Sequence, residues 1–161
     1  MKNVPVVKLG IVAVSRDCFP LELSVRRRRA VIAACLKKNI NIVECETTVE
    51  NENDALRACA EAKDKGVNAL VVFLGNFGPE GPTSLMAQRF DGPVMVAAAA
   101  EESQNDLIQG RGDAYCGMLS NSYNNGLRKL HLYVPEYPVG DSEEVAEMIA
   151  EFVPVARVLA L

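Results

Sequence analysis

Histidine is almost missing from this 161-residue chain: His131 is the only one. Cysteine is present but scattered, at Cys18, Cys35, Cys45, Cys59 and Cys116, with no CxxC pair. A zinc site needs Cys and His clustered at short spacing, so the sequence carries no metal motif. A nucleophilic Cys18 would need a base, and the single histidine stands far along the chain, so a Cys–His enzyme is not expected. An odd cysteine count without a leader fits a reducing compartment. A basic balance is missing too. The formal net charge is −4, so the field of the whole chain opposes a polyanion, and nucleic acid is not an expected partner. Long apolar runs are absent. The opening MKNVPVVKLGIVAVS is interrupted by Pro5 and Lys8, too soon for an export signal or a span. No membrane association and a cytoplasmic location are therefore expected.

What remains is the composition of a soluble globular domain: 49% apolar and 24% charged residues, without low-complexity tracts. The length suits one domain with a full-sized core. Apolar and helical segments alternate. VVKLGIVAVS (6–15), NINIVECET (39–47), VNALVVFLG (67–75) and GPVMVAAAA (92–100) read as strands, with HLYVPEY (131–137) as a short fifth. Helices are expected over 21–38, 50–66, 79–90, 114–126 and 141–161. Gly66 stops the second helix, whose apolar face is read as Leu56, Cys59, Ala60 and Ala62, and Asp141 or Ser142 caps the last. Such alternation builds a three-layer α/β/α sandwich around a flavodoxin-like parallel sheet of about five strands, in the order 2-1-3-4-5. Sites in such sheets form at the carboxyl ends of strands beside a topological switch. That rule selects SRDCF (15–19), GNFGPEGP (75–82) and AAEESQND (99–106).

Each candidate has a plain counterpart. In SRDCF, Arg16 is a donor for an anion or a sugar hydroxyl, with Asp17 beside it; both could equally pair with neighbouring residues. GNFGPEGP lacks the lysine of a phosphate loop, and Pro79 and Pro82 remove N–H donors. It reads as a shaped loop placing Asn76 and Phe77 at a pocket edge, or as a turn. Flavin phosphate loops are Ser/Thr-rich after strand 1, and SRDCFP is not. Glu101 and Glu102 read as a solvated helix start rather than an acid/base pair. The RGD at 111–113 reads as coincidence.

SVRRRRAV (24–31) sets four arginines on one helix. At ~100° per residue they sweep most of its circumference. The apolar stripe is taken as Leu21, Val25, Ile32 and Leu36, which points Arg28 or Arg29 toward packing. A guanidinium there needs a carboxylate, a carbonyl or an interface. A phosphate patch is disfavoured by the acidic balance and by the lack of interleaved aromatics or lysines. The final helix ends in EFVPVARVLAL, apolar and without a polar cap, as though more chain should follow.

KLGIVAVSRDCFP, VVFLGNFGPEGPTSLMAQRFDGPVMV and GRGDAYCGMLSNSYNNGLRKL together resemble the N-terminal domain of the L-fucose isomerase and L-arabinose isomerase superfamily, in particular its fucose isomerase-related members. The resemblance covers nearly the whole chain and rests on pattern rather than on a signature motif. It implies a three-domain, oligomeric aldose–ketose isomerase. Its Mn2+ ligands and acid/base carboxylates belong to the second and third domains. Residues 1–161 would then be a single N-terminal α/β domain of a longer polypeptide, catalytically silent alone. Its role would be to wall the sugar site of a neighbouring subunit and to supply oligomer contacts. The substrate-binding candidates are Arg16, Asp17, Asn76 and Phe77. The partners implied are a small-molecule sugar, the remaining domains and other copies of the chain. A second reading stays open: a stand-alone flavodoxin-like module with a small ligand at the strand 1/strand 3 crevice.

Overall fold

The computed structural model describes residues 4–102 and 110–160. Three apolar runs become β1 (Leu9–Val14), β3 (Ala69–Leu74) and β4 (Val94–Ala99), every residue of which is buried. Strands covered on both faces need no alternation, which is why these runs are continuous. With β2 (Ile42–Glu44) and β5 (Val139–Gly140) they form one parallel sheet in the order β2-β1-β3-β4-β5. Leu9 stands beside both Ile42 and Ala69, and Leu70 beside Val94.

The helices are α1 (Leu21–Lys37), α2 (Glu52–Asp64), α3 (Glu80–Arg89), α4 (Ala114–Leu127) and α5 (Ser142–Leu159). The connection through α1 runs from β1 outward to β2, and those through α2, α3 and α4 run the other way. Right-handed crossovers therefore put α1 on one face and the other three on the opposite face. The packing agrees: α1 lies against α5, α2 against α3, and α3 against α4. The chain is thus a three-layer α/β/α sandwich with β1 and β3 flanking the switch point. No described helix is long and apolar enough to cross a membrane.

Local chemistry sets the boundaries. Asn51 caps α2 by accepting from the Asp54 N–H at 3.1 Å. Asp141, not Ser142, caps α5, in a reciprocal box with Glu144. Gly66 follows α2 in the left-handed region, at φ 67°. The fifth strand differs from the one expected at 131–137. Tyr133 makes an isolated bridge with Met95, Pro135 offers no N–H, and pairing with β4 resumes at Pro138 and Gly140, whose carbonyls accept at 2.8 Å. Helix α4 runs past Asn125-Gly126, because the Asn125 amide is held by Ser84 and Asn121 between α3 and α4 instead of closing the helix.

Two helix faces also differ from the expected ones. On α1 the buried positions are Leu23, Ser24, Arg27, Arg28, Val31, Ala34 and Cys35, while Leu21 and Leu36 are exposed. On α2 they include Ala55, Ala58 and Ala62, while Leu56 is exposed. Small residues let a helix sit close to its neighbour, so they face inward in place of leucines. Ser24 shows the close approach on α1: its hydroxyl donates to the Val14 carbonyl at 2.7 Å.

Two arginines of the run face inward, not one, and they are Arg27 and Arg28 rather than Arg29. Arg28 is 1% exposed. Its guanidinium reaches Glu44 at 2.8 Å and the Glu46 carbonyl and Thr48 hydroxyl at 3.3 and 3.4 Å. It pins α1 to the exit of β2. Arg28→Ala is expected to cost about 3 kcal/mol, because a buried ion pair loses one partner and leaves a void. Arg26→Ala and Arg29→Ala should each cost less than about 0.5 kcal/mol, as exposed substitutions do. Urea unfolding of the three variants checks this; equal losses would contradict the assignment.

Candidate functional site

The loops that follow β1 and β3 are clasped by one amide. Asn76 is fully buried. Its Oδ1 accepts from the N–H groups of Arg16 at 3.0 Å and Gly78 at 3.2 Å. Its Nδ2 donates to the Ser15 hydroxyl at 2.8 Å. A buried amide so satisfied holds two backbones at a fixed separation across the switch point.

Arg16 projects from that clasp. Its Nε donates to the Gly78 carbonyl at 3.2 Å, and its Nη2 pairs with Glu80 at the start of α3. The guanidinium lies over the Phe77 ring at 4.4 Å. Phe77 in turn stacks on Phe19, with centroids 6.2 Å apart. Glu80 also accepts from the Ser120 hydroxyl of α4 at 2.6 Å. Burial pushes the Glu80 carboxyl up, but the hydrogen bonds from Ser120 and the backbone and the Arg16 charge hold it below its ordinary value. Arg16 is therefore a pre-positioned, partly neutralised cation.

Beyond Arg16 lies a crevice of about 420 Å3, lined by Arg16, Asp17, Glu50, Asn51 and Pro79. Of the four candidate residues, Arg16 and Asp17 line it, Phe77 supports Arg16 beneath, and Asn76 stands behind as the clasp. Glu50, Asn51 and Glu80 are the residues that the sequence reading passed over. The order 2-1-3 brings the loop after β2 beside the loop after β1, so topology alone could have nominated Glu50 and Asn51. The loop is held from below by Glu61, which accepts from the N–H groups of Glu46 and Thr47 at 2.6 and 3.0 Å and from Lys65 at 2.7 Å.

The third selected loop begins at Ala99; its residues 103–106 lie outside the described residues. Glu101 and Glu102 are tied to arginines rather than left to solvent; whether a helix follows them falls outside the described residues. Glu102 accepts from Arg26 at 3.0 Å and from Arg27 at 3.2 Å. Glu101 accepts from Arg27 at 3.1 Å and from the Asp113 N–H at 2.7 Å. These carboxylates are anchors for buried charge, which is why they cluster without forming an acid/base pair. Arg27, Ala99, Phe73 and Gly140 border a smaller crevice of about 270 Å3 beside them.

Among the described residues, no three His, Cys, Asp or Glu side chains come together to hold a metal ion. The groups present among the described residues offer Mn2+ no ligand set. Burial pushes the Cys35 and Cys45 thiols up to about 11, so both stay neutral and inert.

The family model described as fucose/sulfoquinovose isomerase, N-terminal domain, matches residues 10–160. No curated protein matches the chain.

Glu61 gives the stability of the fold a pH dependence. Burial pushes its carboxyl up, but the hydrogen bonds from Lys65, Thr47 and Glu46 outweigh this and bring it to about 2. The unfolded chain takes up the proton near the ordinary 4.5. The contribution of Glu61 to stability is therefore complete above that value and is lost as pH falls from there toward about 2. Urea midpoints across this range should fall with pH, and Glu61→Gln should be less stable at neutral pH with a flatter profile. A variant with the parent's slope would show that another group dominates.

Proposed function

The chain belongs to the fucose/sulfoquinovose isomerase N-terminal domain family, and from that premise we propose that it forms one wall of a sugar site in an oligomeric aldose–ketose isomerase. The observation that carries this reading is the crevice at the switch point, with Arg16 held by Glu80 and Phe77 and with Asp17 beside it. A sugar is recognised by donors and acceptors in fixed directions, and these groups supply both. Arg16 and Asp17 meet the substrate. Asn76 and Phe77 position Arg16, and Glu50 and Asn51 complete the rim.

Charge favours a neutral substrate. Arg16 is already paired with Glu80, and Asp17 and Glu50 add negative charge on the same side. A sulfonate would meet these carboxylates, whereas the hydroxyls of a neutral aldose donate to them. The reading assigns proton movement between C1 and C2 of the open-chain sugar to the other domains, and gives the crevice carboxylates Asp17 and Glu50 the role of accepting from sugar hydroxyls. Any Mn2+ of the whole protein is held by its other domains.

Two outcomes test the reading. The isolated chain supplied with Mn2+ should convert no aldose to ketose; turnover by the pure chain would overturn it. In the polypeptide that carries this domain, Arg16→Ala and Asp17→Asn should each raise KM for a neutral aldose about tenfold and leave kcat within about twofold, the pattern of lost uniform binding. Asp17→Asn should also narrow the preference for the neutral over the sulfonated aldose. Unchanged kinetics in both variants would remove this loop from the site.

A further inference from the structure

Helix α4 has two unlike sides. Ala114, Gly117, Met118, Asn121 and Asn125 are buried against the rest of the domain. Tyr115, Leu119, Tyr123 and Leu127 stand on the other side, and each is 59–68% exposed. Residues four apart advance ~40° around a helix, so these four form one continuous ridge. None of the fourteen residues of α4 carries a charge, in a chain that is 24% charged. Solvated helices normally present charge outward, and depletion of charge with enrichment of tyrosine marks the core of an interface. The exposed leucines at Leu21, Leu36 and Leu56 stand singly among charged neighbours and form no such ridge.

We infer that the ridge Tyr115–Leu119–Tyr123–Leu127 is a self-association surface, which pairs with the same ridge of a second copy across a two-fold axis. Three observations favour this occupant. The ridge reads Tyr-Leu-Tyr-Leu at equal spacing. Turned antiparallel, Tyr115 meets Leu127 of the second copy and Leu119 meets its Tyr123, so every aromatic ring faces an aliphatic group. Ridges of residues four apart interdigitate in the commonest helix-packing class, near −50°. Charge points the same way. Two copies with a net charge of −4 each repel elsewhere, and α4 lets them approach without opposed charges, while a partner selected by charge finds none to pair with. The third observation is area. Four large, mostly exposed side chains on each copy bring the buried total to the order of 1,000 Å2, the lower bound for a specific interface. The inference deepens the oligomer part of the function proposed above and rests on it only in expecting copies to associate.

The chain has a continuous core of its own and is tested as it stands. Sedimentation velocity across a dilution series should show a dimer that dissociates on dilution. Leu119→Lys and Tyr123→Glu, each with the parent's circular dichroism, should each weaken association at least about tenfold. Mixing the two should restore a dimer, since one Lys–Glu pair and one native Leu–Tyr pair then face each other. A mixture of Leu119→Glu with Tyr123→Glu should stay monomeric. A parent chain that is monomeric at high concentration, a dimer that survives the substitutions, or a Lys/Glu mixture that does not associate would each overturn the inference. A surviving dimer would do so while leaving the sugar-wall reading intact, because that reading is judged by the kinetics of the Arg16 and Asp17 variants.

Discussion

A guanidinium that is 4% exposed holds the upper end of the sheet together. Arg27 donates to the Gly75 carbonyl at 2.8 Å and the Gly110 carbonyl at 3.1 Å, and it pairs with Glu101 and Glu102. A charge withdrawn from water is tolerated only where its donors are satisfied, and the guanidinium fork offers five. Here those donors reach the exit of β3, the exit of β4 and the approach to α4. One side chain of α1 thereby fixes three segments that are far apart in sequence. Arg28 does the same for the exit of β2. The four-arginine run is therefore two internal clamps flanked by two solvated arginines, which explains why a basic run sits in an acidic chain without forming a basic patch.

From Arg27 the constraint passes in two directions. Gly75, which it holds, is followed by Asn76, whose amide positions the backbone of Arg16. Glu101, which it also holds, accepts from the N–H groups of Gly112 and Asp113, where α4 begins. Gly112 must lack a side chain, since a Cβ there would lie 2.6 Å from the Arg27 guanidinium. Farther along α4, a side chain at Gly117 would collide with the Phe77 carbonyl. Helix α4 is thus seated directly on the loop that carries Phe77, and Ser120 of α4 shares Glu80 with Arg16. The crevice and the outer ridge of α4 are two ends of one packed network. The inner side of α4 is committed to the crevice, which leaves only its outer side to meet another molecule.

The strands were legible because buried parallel strands are continuous apolar runs, and such runs have few alternative readings. The sheet order followed from the alternation of strands and helices. The helix faces were not legible, because hydropathy assumes that leucines point inward and arginines outward. On α1 and α2 close packing favours serine and alanine, and two arginines carry their own counter-charges inside. The β5 segment escaped because Pro135 interrupts a run that otherwise looks like a strand. Within the crevice, Arg16 and Asp17 could be nominated from one loop. Glu50 and Asn51 were passed over because they arrive on the loop after β2 and matter only once β2 lies beside β1, and Glu80, within the selected GNFGPEGP, carries no local sign of its pairing with Arg16. Nor did anything in GNFGPEGP distinguish an asparagine that touches a ligand from one that clasps two backbones.

The shape of the crevice bears on what the domain does alone. A site that binds a small molecule tightly encloses most of the ligand's surface. This one is bounded by three loop edges, with Arg16 and Asp17 on one and Glu50 and Asn51 on another. Arg16 is held from behind by Asn76 and Glu80, and the loop after β2 by Glu61, so little order has to be gained there when a partner surface closes over it. Rigidity without enclosure is poor design for a free binding module, which would lose its ligand to solvent. It suits the wall proposed above, which would present fixed donors and acceptors to a sugar held on another side. The tyrosine–leucine ridge on α4 fits the same logic, because a wall acts only when another surface is kept against it.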